Sequence, residues 1–457
     1  MREIIENALR KSHAEYTDIR IEDVTSSDIT FRGKDLDNIS SDKTTGGIVR
    51  ALYKGGWGYA TFNDLSNLPD YVAEACESAK LIGKEKSMLA ETESVVDRTA
   101  ASMEKDFRQI PLAEKKTVIE AYNRIILDYH GKIETSTVSY QDRFRKVWYG
   151  NSQGSYIEDE RPFVSTLMVA ISREGDNVQY AGEASGGPDG FQLVEGLEKK
   201  AEIAAKRAVD LLAAPPVAGG KYTVILNPVM TGVFTHEAFG HLSEADFVFE
   251  NDRAKKLMEM GKRFGPDILN IIDDGSLPGM LGTHKYDDEG VRTRKNYLIK
   301  DGILVGRLHS RETAAKMVEG LTGNARAVAY PHEPIVRMTN TYIDKGNTSF
   351  QEMIKDVKLG VYAIDTIGGQ TASEMFTFSA AYGYMIRDGK VAEMVRDVVL
   401  TGNVFETLMN IDRIGNEVQW APGTMGGCGK GAQRPLKVGF GGPHIRIQNV
   451  IVGGKQS

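Results

Sequence analysis

The sequence predicts an α+β protein of three domains, of which the last is large, glycine-rich and rich in β-strands. The chain has 457 residues, more than a single hydrophobic core usually holds. Helical and strand-like periodicities alternate through the first 212 residues, which is typical of α+β domains. After Gly220, glycines and many short β-like runs predominate, and this change of composition predicts a separate β-rich domain.

The first domain is predicted over residues 1–106. It begins with a helix over 4–11, where apolar residues recur at helical spacing. Strand-like alternation follows at 18–23 and 28–32, and two β-rich runs meet at Gly55-Gly56, which is a hairpin signal. An amphipathic helix is predicted over 70–81. The polar stretch 85–106 has no clear period and is predicted to be a linker.

The middle domain is predicted over residues 107–217 and the third over 218–457. Helices are expected over 112–129 and 193–212, and strands over 132–140 and 163–171. The run Ala-Ala-Pro-Pro-Val-Ala-Gly-Gly at 213–220 ends the second helix, because paired prolines and glycines break helices. A buried strand is then predicted over 222–227. Pro228 opens a helix at its first turn, where proline is tolerated.

Composition and charge exclude several classes of protein. The net charge is -7 and there is no long Lys/Arg run, which argues against nucleic acid as the main partner. Two cysteines give no disulfide framework, so a cytoplasmic setting is expected. The N-terminus lacks the apolar core of a signal peptide. No segment approaches the 18 apolar residues of a membrane span, and no membrane partner is expected.

The run His236-Glu-Ala-Phe-Gly-His241 carries the chemistry of a metal site. Neutral imidazole is a good zinc ligand, and a carboxylate beside a metal-bound water can accept its proton. The metal lowers the pKa of such a water to about 7, which makes hydroxide available near neutral pH. His236 and His241 are therefore candidate zinc ligands, and Glu237 is the candidate catalytic base.

The spacing of the two histidines requires a distorted helix. Residues at i and i+5 lie roughly 140° apart on a regular helix, against about 40° for the familiar i, i+4 spacing. A π-bulge of one residue would realign the rings, and Gly240 lies where a distortion costs little. From spacing alone, the alternative is two unrelated histidines near a buried helix end.

A third ligand is sought in Cys428, which lies among glycines in the run 423–431. Its neighbours offer no side chains to pack against, glycines permit close backbone approach, and a thiolate is a strong zinc ligand. Glu244 is the competing third ligand, because it lies three residues beyond His241 and can share its face. Cys76 lies on the apolar side of a predicted helix and is interpreted as a core residue.

These motifs resemble the TldD/PmbA family, and specifically its metal-bearing TldD branch. The resemblance covers nearly the whole chain and is carried by a glycine-rich hairpin, by the H-E-x-x-x-H run and by several further short signatures. These signatures are Gly46-Gly-Ile-Val-Arg-Ala-Leu, Asn151-Ser-Gln-Gly154, Asp287-Asp-Glu-Gly290, Thr322-Gly-Asn-Ala-Arg326, Arg337-Met-Thr-Asn-Thr-Tyr342 and Cys428-Gly-Lys430.

The resemblance implies a zinc metallopeptidase that hydrolyses unstructured peptides and works as a dimer. The partner is a second copy or a PmbA-like subunit that lacks the metal motif. The family's ligands fall on His236, His241 and Cys428 and its catalytic glutamate on Glu237, which makes the third domain the catalytic one. The sequence departs from the family pattern at Gly426-Gly427 and after Gly431, so the shape of that loop is not predicted.

Two further groups have alternative interpretations. In one interpretation, Asp287, Asp288 and Glu289 orient a ligand histidine or the substrate amine without binding the metal themselves. In the other, they cap a turn before Gly290. Arg337 and Tyr342 either stabilise an oxyanion or serve strand packing.

The alternative functions are a non-catalytic subunit of a protease heterodimer, a zinc hydrolase of a non-peptide substrate and a nucleic-acid-linked modulator. The complete His236, Glu237, His241 and Cys428 set argues against the first, and the acidic balance against the last.

Overall fold

The computed structural model describes residues 1–372, 374–423 and 426–453. Its first half consists of long antiparallel strands covered by helices. The elements are α1 Arg2–Leu9, β1 Tyr16–Arg32, β2 Asp35–Tyr53, β3 Gly56–Phe62, α2 Leu68–Ile82, β4 Val96–Thr99, α3 Leu112–Asp128, β5 Ile133–Asn151, β6 Tyr156–Glu174, β7 Asn177–Gly187 and α4 Glu198–Ala213.

In the described part of the chain, these strands form one seven-stranded sheet in the order β3-β2-β1-β5-β6-β4, with β7 also paired to β6. Strand β1 pairs along its length with β2 on one side and with β5 on the other. The sheet is therefore shared by the first two predicted domains. The boundaries proposed for those domains stay a prediction.

Helices cover the sheet because each has one apolar side. The buried residues of α2, among them Val72 and Cys76, pack with α1, β1, β2 and β3 in one core. The buried residues of α3 and α4 pack in a second core with β5, β6 and β7. The amphipathic patterns predicted for 70–81 and 112–129 are confirmed by this packing.

Two local predictions differ from the structure. The runs 18–23 and 28–32 belong to a single strand, β1, because the polar residues between them are paired on both sides by neighbouring strands. The predicted linker 85–106 contains β4, which pairs in parallel with β6. Burial along β4 is slight, so its own sequence gives no apolar pattern to detect.

The second half of the chain has shorter elements. They are β8 Gly220–Leu226, α5 Pro228–Thr235, α6 Ala245–Glu250, α7 Asp252–Leu257, β9 Ile271–Asp274, β10 Lys295–Lys300, β11 Ile303–Leu304, α8 Arg311–Met317, β12 Ala325–Arg326, β13 Ile335–Val336, β14 Asn340–Ile343, α9 Phe350–Ile354, β15 Leu359–Ile364, β16 Gly368–Ala372, β17 Met375–Ser379, β18 Tyr382–Arg387, β19 Lys390–Val395, β20 Val399–Asn403, α10 Val404–Met409, β21 Ile411–Ile414, β22 Gln419–Trp420, β23 Cys428–Lys430, β24 Gln433–Leu436, β25 Gly439–Gly442 and β26 Ile445–Gly453.

Most of these strands form two larger sheets around one apolar core, while β12 pairs with β13 and β23 with β24 in separate two-stranded sheets. One sheet has the order β16-β17-β20-β26-β8-β15-β18-β19, with β21 paired to β26, and the other β11-β10-β9-β14-β25-β22. Helix α5 follows β8 directly and packs against β25 and β14, so the residues that follow α5 lie between the two sheets. In the described residues every helix is too short or too polar to cross a membrane. The α+β architecture predicted from the sequence is confirmed.

Candidate metal centre

A π-helical turn brings the two histidines together. Asn227 caps α5 by accepting a hydrogen bond from the Met230 amide at 2.9 Å, and α5 continues into a π-turn over His236–Gly240. The His241 amide donates to the His236 carbonyl, which is the i, i+5 bond of a π-turn. The two rings lie 5.1 Å apart between centroids, at 82° to each other. The predicted π-bulge is confirmed.

Gly240 is needed for close packing. Its backbone is ordinary right-handed helix, with φ of -58°. A Cβ at this position would lie 2.0 Å from the Met338 sulfur, which is far inside van der Waals contact. The sequence argument gave Gly240 the role of easing a distortion, whereas the structure requires glycine because Met338 packs directly on the turn.

Cys428 reaches the histidines from a hairpin of the same domain. Strand β23 pairs with β24, and Cys428 lies opposite Leu436. The Cys428 sulfur lies 3.4 Å from His241 Nε2. One ligand atom each from His236, His241 and Cys428 all lie within 4.8 Å of one another. Thr424 and Met425, in the glycine-rich run before the cysteine, lie outside the described residues.

The hairpin is clamped by Arg337, which is fully buried. Its Nη2 donates to the Cys428 carbonyl at 2.8 Å and its Nη1 to the Gln433 carbonyl at 3.2 Å. Tyr342 packs its ring edge-on against Trp420, with centroids 5.2 Å apart. These contacts support the packing interpretation of Arg337 and Tyr342 over the oxyanion interpretation.

The electrostatics of the three groups favour an ionised thiol. Burial raises the pKa of Cys428, but the neighbouring His236 and His241 outweigh it and lower that pKa to about 4. Burial lowers the pKa of His241, but the hydrogen bonds that its protonated ring donates to Cys428 and Glu244 outweigh it and raise that pKa to about 10. The metal-free protein therefore holds a thiolate beside an imidazolium at neutral pH. A bound cation would replace that proton.

Glu244 contacts the far side of His241. Its Oε2 lies 3.1 Å from His241 Nδ1 and 3.1 Å from the Lys430 ammonium. Lys430 is held in turn by Asp246, at 2.7 Å, and by the Val336 carbonyl, at 2.9 Å. Because Cys428 faces Nε2 and Glu244 faces Nδ1, Glu244 is placed to orient the ring. The shared face predicted for His241 and Glu244 is present.

Burial raises the pKa of the Glu244 carboxyl, but the His241 hydrogen bond and the Lys430 charge outweigh it and lower that pKa. Glu244 is therefore a buried carboxylate at neutral pH. Lys430 was not singled out for this role from the sequence. The sequence did offer a signal: Lys430 lies two residues after Cys428, and side chains at positions i and i+2 of a strand face the same side.

Glu237 lies in the π-turn, next to the first histidine. Its side chain is half-buried, and in the described part of the chain it has no hydrogen-bonding or ion-pairing partner. The carboxylate is thus available to a ligand at the cluster. His236 is almost fully buried, its Nδ1 has no hydrogen-bond partner, and the Phe440 ring lies 6.4 Å from its own ring.

The Asp287-Asp288-Glu289 run does not join the histidines and cysteine. Asp287 accepts hydrogen bonds from the backbone amides of Glu289, Val291 and Ala325, at 2.9–3.0 Å. Gly290 follows with φ of +77°. These contacts are those of a turn cap, which was one of the two interpretations of the run.

Asp288 and Glu289 instead connect the C-terminal domain to the N-terminal sheet. Asp288 accepts from Arg161 at 2.9 Å, and Glu289 lies 3.3 Å from Arg50 and accepts from the Arg311 amide at 2.8 Å. Both carboxyl groups are almost fully buried. Arg161 and several neighbouring arginines outweigh burial and hold the pKa of Asp288 well below its usual range.

Comparison with known proteins identifies the family. Residues 17–79, 105–212 and 219–454 match, in order, domain 1, the central domain and the C-terminal domain of the PmbA/TldA metallopeptidases. A metalloprotease of Synechocystis sp. is 43% identical over 445 residues, which cover 97% of this chain and 96% of the relative. A zinc metalloprotease TldD homolog of Saccharolobus solfataricus is 30% identical over 453 residues, which cover 96% and 97%.

A solved structure has the same fold. The crystal structure of TldE from Thermococcus kodakarensis superposes with a TM-score of 0.80 at 16% identity, covering 99% of this chain and all of that one. The matches run through all three domains, and the Synechocystis relative is well above the identity at which a family is certain. The chain is therefore a member of the TldD/PmbA family of metallopeptidases.

Proposed function

We propose that the chain is a zinc-dependent peptidase that hydrolyses unstructured peptides, with His236, His241 and Cys428 as the zinc ligands and Glu237 as the base. The observation that carries the proposal is the convergence of three ligand atoms within 4.8 Å of one another, beside a carboxylate with no other partner. Relatives named as metalloproteases support the same conclusion.

The donor set fits zinc. Two imidazoles and a thiolate are typical zinc ligands, and three protein ligands leave a fourth position for water or substrate, as in catalytic sites. The low pKa of Cys428 provides the thiolate. The buried His236 Nδ1 has no hydrogen-bond partner among the residues that the structure describes. When bound, zinc would supply Lewis-acid chemistry, since it lowers the pKa of water and polarises a carbonyl.

The other residues of the candidate site then each have one role. Glu237 accepts a proton from the attacking water and later delivers it to the departing amine. Glu244 holds the His241 ring by its Nδ1, and Lys430 keeps that carboxylate ionised. Arg337 fixes the backbone of the hairpin that carries Cys428.

The site is placed beside a free strand edge. Strand β16 is the first strand of its sheet, pairs with β17 on one side and contacts the π-turn. Its sequence, Gly-Gly-Gln-Thr-Ala, has no aromatic or large apolar side chain. An extended peptide can add to such an edge by backbone hydrogen bonds, which ignore side-chain identity. This supports substrates that are unstructured and varied in sequence.

The test is incubation of the zinc-loaded protein with a mixed pool of unstructured peptides and with one stably folded domain. Mass spectrometry should show cleavage of the peptides and survival of the folded domain. If the protein held zinc and cleaved no peptide, alone or with a PmbA-like partner, the non-catalytic subunit would be the better interpretation. Cleavage of other carbonyl substrates alone would favour a non-peptide hydrolase.

We further propose that the enzyme works as a dimer in the cytoplasm, with a second copy or a PmbA-like subunit. The TldE structural neighbour supports the heterodimer, and two free cysteines suit a reducing compartment. Light scattering on the purified chain, with and without a PmbA-like protein from the same source, distinguishes the two assemblies.

A further inference from the structure

A cavity with six basic residues in its lining lies between the N-terminal sheet and the C-terminal domain. Its volume is about 480 Å³, and Asp288 is the one acidic residue among its described lining residues. Its basic residues are Arg143, Arg145, Arg161, Arg326, Arg434 and Lys437. The chain as a whole carries a net charge of -7, so this is a local excess of basic residues. Two of them, Arg145 and Arg161, are also paired with Glu22 and Asp159 outside the lining.

The inner cations are fixed before any ligand arrives. Arg326 is buried, with 4% of its surface exposed. It donates to the Met338 carbonyl at 2.6 Å, to the Lys437 carbonyl at 2.7 Å and to His284 Nε2 at 3.0 Å. Arg161 is held by Asp288. Guanidinium groups that are already ordered lose little entropy when an anion binds.

Two of the cations have no compensating charge within the described residues. Arg143 and Arg434 are exposed, and neither has a hydrogen bond or an ion pair within the described residues. Lys437 lies over the Phe163 ring at 4.0 Å. Burial, followed by the charge of Arg143, lowers the pKa of Lys437 to about 7.

The cavity is connected to the candidate metal centre through shared backbone. Leu436 lines the cavity and lies opposite Cys428 in the β23–β24 hairpin. Arg326 donates to the carbonyl of Met338, whose sulfur packs on Gly240 in the π-turn. A segment held in the cavity is therefore anchored one strand away from a metal ligand.

We propose that this cavity binds carboxylate groups of the peptide substrate, from acidic side chains or from the C-terminus. Guanidinium groups pair with carboxylates through parallel hydrogen bonds. Apolar residues of the same cavity, such as Phe163, Leu281 and Val328, accommodate the rest of the segment. The proposal rests on the proposed peptidase function and gives it a preference for acidic peptides. An enclosed cavity of this size suits a side chain or a chain end better than a nucleic-acid backbone, which needs an extended basic face.

The test measures binding without cleavage. Labelled unstructured decapeptides are titrated, by fluorescence anisotropy, against the full chain with a chelator present. Four peptides are compared: a glutamate-containing sequence and its glutamine counterpart, each with a free and with an amidated C-terminus. A glutamate preference assigns the cavity to side chains, and a preference for the free terminus assigns it to the chain end.

We expect the preferred carboxylate peptide to bind about 10- to 100-fold more tightly than its neutral counterpart, the range for hydrogen bonds to charged groups. The double variant R143Q/R434Q should lose that preference, and its melting temperature should be unchanged because both side chains are exposed. The control R10Q, at the end of α1 and outside this cavity, should keep it.

Equal binding of all four peptides would overturn the proposal, and so would a preference that survives in R143Q/R434Q. Tighter binding of an oligothymidylate of matched charge, lost in the same variant, would assign the cavity to nucleic acid instead. Failure of the peptidase function is seen separately, as an absence of products from the zinc-loaded protein, and leaves the binding result intact.

Discussion

The His236–His241–Cys428 cluster and the Asp287–Asp288–Glu289 cluster are both largely buried, but they differ in what their polar atoms contact. In the described part of the chain the buried His236 Nδ1 has no hydrogen-bond partner, and the Cys428 sulfur faces the histidine rings. In contrast, every oxygen of the three carboxylates contacts a backbone amide or an arginine within the described residues. The first cluster can therefore bind a ligand through its unpaired atoms. The polar atoms of the second cluster already bind groups of the chain and hold two parts of it together.

This difference shows that the residue types alone do not mark a site. Three adjacent carboxylates are an attractive motif in a sequence, but they are structural when amides and guanidinium groups surround them. Two histidines at an unfamiliar spacing are a weaker motif, yet their ring nitrogens converge with a thiolate.

The largest effect is expected for Glu237→Gln, which keeps the size of the side chain and removes the base. A positioned general base contributes about 10²–10⁴-fold to the rate, so peptide turnover should fall by at least about two decades. Zinc content and peptide affinity should be unchanged. His236→Ala is the comparison, because it should lose zinc and activity together. Near-full activity of Glu237→Gln at full zinc content would require another base, with Glu244 to be examined next.

Loss of a residue that only hydrogen-bonds to a metal ligand costs roughly 10–100-fold in metal affinity. Cys428→Ser should weaken zinc binding by more than this, because a hydroxyl is a poor substitute for a thiolate. Competition with a chelator measures the affinity. Cys76→Ser is the matched control: Cys76 is fully buried on α2, so its loss should cost about 1 kcal/mol of stability and no zinc. Full zinc occupancy in Cys428→Ser would transfer the third-ligand assignment to Glu244.

Glu289→Gln tests the structural cluster. Breaking a buried ion pair costs about 3–5 kcal/mol, and because Arg50 keeps Asp18 at 2.6 Å, the lower end is expected. Urea unfolding measures the change in the free energy of unfolding. Zinc affinity should be unaltered. A variant of normal stability that lost zinc or activity would place this cluster in the catalytic machinery.

The smallest effect is expected for Glu244→Gln, which removes the charge behind His241 and leaves an amide oxygen in its place. Zinc affinity should fall about 10–100-fold, as measured by chelator competition. Asp246→Asn is the control, since Asp246 contacts Lys430 at 2.7 Å and has no hydrogen bond to His241. If the two variants bound zinc equally well, Glu244 would have no part in positioning the ring.

The sequence predicted the elements whose pattern is local. Helix α3, Leu112–Asp128, follows from apolar spacing. The hairpin between β2 and β3 follows from two β-rich runs that meet at Gly55-Gly56, and its turn residues Lys54 and Gly55 have positive φ. Strand β4 was missed because its partner, β6, begins more than fifty residues away. Pairing over such distances leaves no mark in a local pattern.

The same division holds for the candidate site. The H-E-x-x-x-H run, the π-turn and the glycine context of Cys428 were all visible in the sequence. The contacts of Lys430 with Glu244 and of Arg337 with the hairpin were not, because each joins segments nearly a hundred residues or more apart. The packing of Met338 on Gly240 was not visible for the same reason.

The pairing of β1 has a consequence for how the chain folds. From Asp18 to Arg32, one edge of β1 is covered only by β5, which is more than a hundred residues further along. Contacts of such long sequence separation slow folding, and an unpaired strand edge recruits other chains. During synthesis, one edge of β1 therefore stays unpaired until β5 has been synthesised. A fragment that ends before β5 should aggregate.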